Sequence, residues 1–283
     1  MKIYKMYFKT PLKFNPDVEG IFPRSDTIFA AIANVMVELE GEKVLEELKE
    51  CRFSSAFPFH KDKLFLPKPL KPPLKERELI KIWKKKMWID ADLINDHDEI
   101  VKALKKDSAS PFISKDGLYN GICREREIIR NFKDRISERT NIYSVYAIEF
   151  ERDAGLYFIY SGDVKIDHAV KVLGEEGIGG CKSIGFGKFD VEIKNFKWEE
   201  EGKSYLLLSL YLPERSEIEA LKNGYYSLLN RTGWSLKREK RMVRVVVEGS
   251  VLPYRVNGRI LEEYMDGIKI YRNYLALTIP LRW

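Results

Sequence analysis

Gly177-Ile178-Gly179-Gly180-Cys181-Lys182-Ser183-Ile184-Gly185-Phe186-Gly187-Lys188-Phe189 places five glycines in thirteen residues, and the pattern on either side of it decides the fold. Glycine takes positive φ at little steric cost and lets another backbone come close. Lys182, Ser183 and Lys188 stand among the glycines. A loop of bare amides with two cations and a hydroxyl suits phosphate oxygens. Upstream, residues 167–174 have helical spacing, with Ala169, Val170, Val172 and Leu173 apolar. Downstream, residues 188–198 alternate as a strand does, with Phe189, Val191, Ile193, Phe196 and Trp198 apolar. A Walker loop has the opposite order, strand then helix, and requires glycine directly before Lys-Ser, where this chain has Cys181. A dinucleotide fingerprint starting at Gly177 requires glycine at position 182, which is lysine. Nucleotide hydrolysis and Rossmann-type redox chemistry therefore lose their support. A helix–loop–strand unit able to hold a phosphate backbone remains.

Working outward, residues 1–9 alternate and read as a first strand, followed by a loop with Pro11, Asn15, Pro16, Gly20 and Pro23. Ser25 or Asp26 is predicted to cap a helix over 27–39, whose apolar stripe is Ile28, Ala31, Ile32 and Val35. A second helical stretch covers 42–50. Residues 53–59 read as strand two, and 63–66 extend it as a hairpin. Pro67, Pro69, Pro72 and Pro73 then break the pattern. Residues 74–106 are charged and helix-like, with Trp83, Met87 and Trp88 on the apolar side. Asp90, Asp92, Asp96, Asp98 and Glu99 form an acidic patch there, read as a solvated face ahead of a metal site. Residues 111–140 are arginine-rich, contain Gly117 and Gly121, and have weak periodicity. Residues 68–140 are thus expected to be an insertion, partly mobile.

Strand patterns return at 141–150 and 155–161, and a helix at 164–174 leads into the glycine loop. The order β-α-β, insertion, β-α-β is the split βαβ, ferredoxin-like arrangement of an α+β protein. This defines a domain over 1–198. Residues 199–283 form a second, strand-rich domain, for which a degenerate ferredoxin-like form is one reading. Its strands are predicted at 204–211, 242–247 and 276–281, with turns at Asn223-Gly224, Thr232-Gly233, Asn257-Gly258 and Asp266-Gly267.

The 283 residues are 45% hydrophobic, which supports a real core. No apolar run approaches a membrane span, and the start lacks a signal-peptide layout, so a cytoplasmic location and no membrane partner are expected. Cys51, Cys123 and Cys181 are widely spaced and read as reduced thiols. Nothing implies a metal or other cofactor. The net charge is +6, from 49 Lys and Arg against 43 Asp and Glu. Its distribution matters more: residues 61–86 hold ten Lys/Arg against three acids, and 231–244 hold six against one. Clustered cations suit a polyanionic partner, although a Lys/Glu-rich, heat-adapted surface has similar content.

The split βαβ order with its glycine loop before the last strand resembles the RAMP superfamily of CRISPR-associated RNA-binding proteins. The superfamily's loop is similar to Gly-x-Gly-Gly-x-(Lys/Arg)-Ser-x-Gly-x-Gly-x-(Phe/Leu), matched by Gly177, Gly179, Gly180, Lys182, Ser183, Gly185, Gly187 and Phe189. Within it, Arg24-Ser25-Asp26-Thr27-Ile28-Phe29-Ala30-Ala31 resembles the fourth-subunit group of the Csm effector complexes of type III-A CRISPR systems. The same is true of Phe53-Ser54-Ser55-Ala56-Phe57-Pro58-Phe59, Leu66-Pro67-Lys68-Pro69-Leu70, Glu138-Arg139-Thr140, Glu248-Gly249-Ser250-Val251-Leu252 and residues 271–280. The resemblance is weakest across 71–135. After Thr140 the segment lacks the glycine usual there, so no role is assigned to that residue.

The resemblance implies a non-catalytic subunit that holds the 5′ tag of the CRISPR RNA. It also implies docking to the large polymerase-like subunit and the first backbone RAMP subunit. An inserted hairpin, or thumb, would meet the guide–target duplex, touching target RNA indirectly; it is expected within 108–140. The tag, being single-stranded, offers phosphates, 2′-hydroxyls and unstacked bases. Gly177, Gly179, Gly180, Ser183, Gly185 and Gly187 would approach its phosphates, with Lys182 and Lys188 adding charge. Arg139 would clamp the backbone or stack on a base, and Arg24 precedes a helix N-terminus, which also favours phosphate.

Three alternatives stand beside this reading. One is a CRISPR RNA-processing endoribonuclease of the same superfamily, for which His60, His97 and His168 are the available general acid–base groups. Another is the corresponding subunit of the Cmr complex. The third is a protein-interaction module whose basic segments meet acidic partners.

Overall fold

The computed structural model describes residues 1–14, 22–106, 109–116, 122–133, 140–198, 201–235 and 238–283. β1 (Lys2–Phe8) runs antiparallel between β9 (Ala154–Ser161) and β10 (Phe189–Asn195). On its other side β9 pairs with β2 (Arg52–Phe53) and β3 (Phe57–His60). The sheet continues through β4 (Lys63–Pro67), β5 (Trp88–Asp90) and β6 (Phe112–Ile113), in the order β10-β1-β9-β3-β4-β5-β6. The chain is thus α+β, with β1, β9 and β10 near their predicted places.

Alternation along the strands assigns the two faces. Tyr4, Met6, Phe158 and Tyr160 point to one side, where α1 (Ser25–Glu40) and α5 (Asp167–Glu176) pack together. Ile28, Phe29, Ile32, Met36, Val170 and Leu173 complete that core. Each such side chain, fully buried, contributes about 1.5–3 kcal/mol. The opposite face carries Ile3, Phe59, Tyr157 and Ile159. It is covered by the three-stranded sheet β16-β11-β19, formed by β11 (Ser204–Leu207), β16 (Val251–Leu252) and β19 (Thr278–Leu281), through Leu206, Leu208, Ile279 and Leu281. Several predicted strands are shorter than expected. Residues 204–211 end their ladder at Leu207, and Tyr211 makes only an isolated bridge to Val246.

The first helix differs from expectation at its start. Arg24 is the N-cap residue, without a side-chain cap, and the helix begins at Ser25. Ser25 Oγ instead accepts from the Leu210 amide at 2.9 Å, and Asp26 pairs with Arg231. Both residues serve the junction with the C-terminal part.

The insertion also differs. Its first half is ordered into the main sheet: α3 (Arg77–Lys85), β5, α4 (His97–Lys106) and β6 bury Trp83, Ile89, Ile100 and Leu104. Two of the acidic residues are structural. Asp90 accepts from the Asp92 amide and Asp96 from the Glu99 amide, both at 3.1 Å, at the starts of helical turns. No group of metal-holding side chains exists among the described residues.

Its second half is one arm of a long hairpin, β7 (Cys123–Lys133) paired throughout with β8 (Thr140–Phe150). Residues 141–150, expected as a strand of the domain, are the returning arm, joined to the domain by the bridge Leu12–Ile148. Alternation marks a strand but not its partner. β7 escaped prediction because it is exposed along most of its length and so carries charge on both faces. A two-stranded ladder imposes no hydrophobic pattern on positions that meet only water.

Candidate nucleic-acid interface

The glycine loop is folded tightly before any ligand enters. Gly177 ends α5, its amide donating to Leu173 O at 2.8 Å. Ile178 N donates to Gly187 O (3.0 Å), Gly187 N to Pro11 O (2.9 Å) and Gly180 N to Lys13 O (2.8 Å). Lys188 N donates to Thr10 Oγ1 at 2.9 Å. A short 3-10 turn, Lys182–Ile184, is closed by Gly185 N donating to Lys182 O. The loop's amides are therefore not a bare nest, as the sequence suggested. Most already donate within the protein, and those of Gly179, Cys181, Lys182 and Ser183 take no part in these bonds.

The glycines divide by what the fold demands of them. Gly177, Gly179 and Gly187 have φ of 91°, 91° and 72°, and a Cβ on any of them would strike a backbone carbonyl, of Phe186, Lys13 and Ile178 respectively. Gly185 requires its φ of 88° but faces open space. Gly180 is different: it has no such φ, and a Cβ added there would come no closer than 3.6 Å to its nearest neighbours, on Lys13. Gly180, Lys182, Ser183 and Ile184 form the exposed crest of the loop, while Lys188 is half-buried at its base.

Phe186 anchors the crest. It is buried against Val145 and Ala147 of β8, with Ile128 of β7 packed beside them. The Arg130 guanidinium lies over the Phe186 ring, 5.1 Å from its centroid, and among the described residues its buried Nε has no hydrogen-bond partner. Arg130 was missed by sequence reasoning because only the hairpin register brings it to the loop. Pairing of Ile128 with Val145, Arg130 with Tyr143 and Arg126 with Ala147 puts them on one face of the ribbon. Acids near the loop are matched: Lys9 pairs with Glu175 and Asp190, and Lys182 stands 4.0 Å from Glu176. Lys13 lies along Gly180. The result is a cationic crest with a hydroxyl and an aromatic-backed guanidinium.

The other predicted residues are not gathered here. Arg139 lies outside the described residues, as do Gly117 and Gly121. Arg24 sits at a separate cavity beside Glu248, its Nη1 donating to Glu248 Oε2 at 2.5 Å. The basic run 231–244 is partly structural: Arg231 is buried on Asp26 and is not available to a polyanion. The three histidines have separate surroundings. His168 meets Glu40 at 2.7 Å and His97 meets Asp98 at 3.4 Å. His60 ends β3, where burial lowers its pKa.

The glycine-rich loop entering the edge strand of this sheet, braced by a long hairpin, is the feature on which the resemblance to the RAMP superfamily rests. The family model for the CRISPR Csm4 C-terminal domain matches residues 200–281, and the Csm4 protein of the CRISPR system of Thermococcus onnurineus is 31% identical over 92% of this chain and 91% of its own length. The chain belongs to the Csm4 family. This favours the Csm over the Cmr assignment. The fold agrees with that of a Csm3-Csm4 subcomplex of the type III-A interference complex (TM-score 0.68, 18% identity, 100% of both chains). It likewise agrees with a Csm1-Csm4 cassette solved with pppApA (TM-score 0.66, 22% identity, 99% of this chain and 97% of the other). No helix among the described residues is long and apolar enough to cross a membrane.

Proposed function

We propose that this chain is the subunit of a type III-A CRISPR effector ribonucleoprotein that holds the 5′ tag of the guide RNA along the glycine-loop crest without cutting it. The observation that carries this reading is the division within the loop. Its inward glycines are demanded by the fold, whereas Gly180 is not, and it lies exposed between Lys13 and the Lys182–Ser183 turn. A position kept small and open beside cations suits the passage of a phosphate backbone. Arg130, stacked on Phe186, adds a donor fork of the kind that single-stranded RNA accepts at phosphate or base.

The strand order β10-β1-β9-β3 with two helices on one face supports a ferredoxin-like, split βαβ reading of the N-terminal domain (1–198). Residues 199–283 are the second domain. The β7–β8 hairpin is the thumb, extending the predicted 68–140 insertion to Phe150. Its exposed Ile129, Phe132, Ile142 and Tyr143 would meet the guide–target duplex. The partners are a large Csm1-type subunit and a Csm3-type backbone subunit, as in the solved relatives. The separate surroundings of the three histidines favour a non-catalytic role, since metal-free RNA cleavage needs a positioned acid–base pair.

Tag-bearing single-stranded RNA should bind the full chain with strong salt dependence. Lys182→Ala and Arg130→Ala should each weaken binding about fivefold and flatten the log Kd against log salt slope by about 0.7 per lost phosphate contact. Unchanged slopes in both variants would move the RNA off this crest. Repeat RNA should remain intact on incubation; specific cutting abolished by one His→Ala change would overturn the non-catalytic reading.

A further inference from the structure

At the end of the main sheet away from the glycine loop, the chain encloses a cavity of about 830 Å³, within the range of small-molecule sites. β10 leads from the loop at Phe189 to Asn195, about 20 Å at the rise of a strand. Phe196 and Trp198 then line the cavity, and the C-terminal part closes it through residues 255–257 and 276–278. Arg52, Lys197 and Arg255 bring three cations to the lining, against the single acid Glu201. Both guanidinium groups are held in place. Arg52 Nη2 donates to Asn257 Oδ1 at 3.1 Å, across the seam. The Asn257 backbone is itself fixed: its amide donates to Glu217 Oε1 at 2.5 Å, and its carbonyl accepts from the Ala276 amide at 2.7 Å. The Arg255 guanidinium lies over the Tyr205 ring of β11, 5.5 Å from its centroid. A guanidinium has five N–H donors, so neither contact exhausts it. Like charges gathered in one concavity repel each other, and the concave wall focuses their field on an anion. The half-buried rings of Phe196 and Trp198 stand beside these cations, with centroids 5.5 Å apart.

We infer that this cavity binds a free nucleoside polyphosphate, with its phosphates on Arg52, Arg255 and Lys197 and its base against Trp198. A pre-positioned guanidinium fork matches phosphate oxygens two at a time. A chain of phosphates spreads its charge over several ångströms and can meet three cations, whereas one carboxylate or sulfate meets fewer and leaves most of the volume unused. An aromatic wall beside the cations gives a heterocycle a face to stack on. Binding alone is inferred, and no bond is made or broken. The ligand would touch both sides of the seam, so it would stabilise the folded chain in proportion to its occupancy. The site stands at the opposite end of β10 from the glycine-loop crest and does not depend on the RNA reading.

The test is calorimetric titration of the full chain, Arg255→Gln and Lys182→Ala with ATP, tripolyphosphate and adenosine. Arg255 is exposed, so glutamine there leaves the core alone. Thermal melting checks the fold, and Arg52→Gln serves as a second variant. The inference expects saturable ATP binding at one site, weakened about tenfold in Arg255→Gln and unchanged in Lys182→Ala. Tripolyphosphate and adenosine should each bind about tenfold more weakly than ATP, since each lacks one half of the contacts. At about 100 times its Kd, ATP should raise the melting midpoint by about 5 °C. No saturation at millimolar ATP overturns the inference. Affinity lost in Lys182→Ala but kept in Arg255→Gln moves the nucleotide to the crest and overturns it as well. Tripolyphosphate binding as tight as that of ATP overturns the nucleoside and leaves an unselective anion site. Tag RNA that displaces ATP from wild type and Lys182→Ala alike assigns the cavity to the strand and overturns the free nucleotide. The RNA reading fails separately, by unchanged salt slopes in Lys182→Ala and Arg130→Ala.

Discussion

Asp26→Ala should lower the unfolding free energy by about 3–5 kcal/mol and the melting midpoint by about 10 °C in a chain of this size. Asp26 lies in the first turn of α1, and Arg231 ends β12 (Leu228–Arg231) in the C-terminal part. Their bond is bidentate, Nε to Oδ2 at 2.8 Å and Nη2 to Oδ1 at 2.9 Å, and Nη2 also donates to Thr27 Oγ1 at 2.8 Å. The side chains are 4% and 10% exposed. Alanine at position 26 takes both carboxylate oxygens away from a buried guanidinium. The full desolvation penalty then falls on the folded state. Replacing both partners with apolar residues of similar size, as in Asp26→Leu with Arg231→Met, should recover most of the loss, because a buried ion pair is nearly neutral against well-packed hydrophobics. Calorimetry on the two singles and the double decides it. A single-variant loss under about 1 kcal/mol would mean the pair does not hold the two parts together.

This pair also shows where the sequence was silent. Arg231 opens a basic run that composition reads as a polyanion site, yet its charge is consumed inside the protein. A run of cations carries no information about which members have buried acids as partners, since those acids are distant in sequence. Asp26 likewise had the credentials of a helix cap, and tertiary contact redirected it. By contrast, the α5–loop–β10 unit was legible to within three residues at each boundary, because helical spacing, glycines and alternation all demand the same local geometry. The strands Lys2–Phe8 and Ala154–Ser161 were legible for the same reason: each has a buried face. The β7 arm was not, because exposure removes the alternation on which such reading depends.

The site was half legible. The loop's location and its crest residues follow from the motif. Which glycines the fold demands and which it leaves open does not, since φ and neighbouring carbonyls decide that. Arg130 and the Glu248 cavity required register and long-range packing. Both are assembled from segments whose mutual approach no local pattern encodes.

Gly187→Ala should destabilise the chain by about 3 kcal/mol, whereas Gly180→Ala should leave stability nearly unchanged. At position 187 the φ of 72° alone is expensive for an L residue, on the order of 1–3 kcal/mol. The added methyl also runs into the carbonyl oxygen of Ile178, a residue held in place by the bond from its own amide to Gly187 O. Neither side can yield without opening the loop, and Phe186 next to it would lose its seat against Val145 and Ala147. At position 180 a methyl meets only ordinary contacts with Lys13. Thermal melts of the two variants separate the cases. RNA binding should then invert their order: Gly180→Ala, fully folded, should still bind tag RNA several-fold more weakly, because its methyl occupies the track between Lys13 and Lys182. Equal stability of the two variants would refute the inward–outward division of the glycines. A stable Gly180→Ala with wild-type RNA affinity would remove the crest from the path of the RNA.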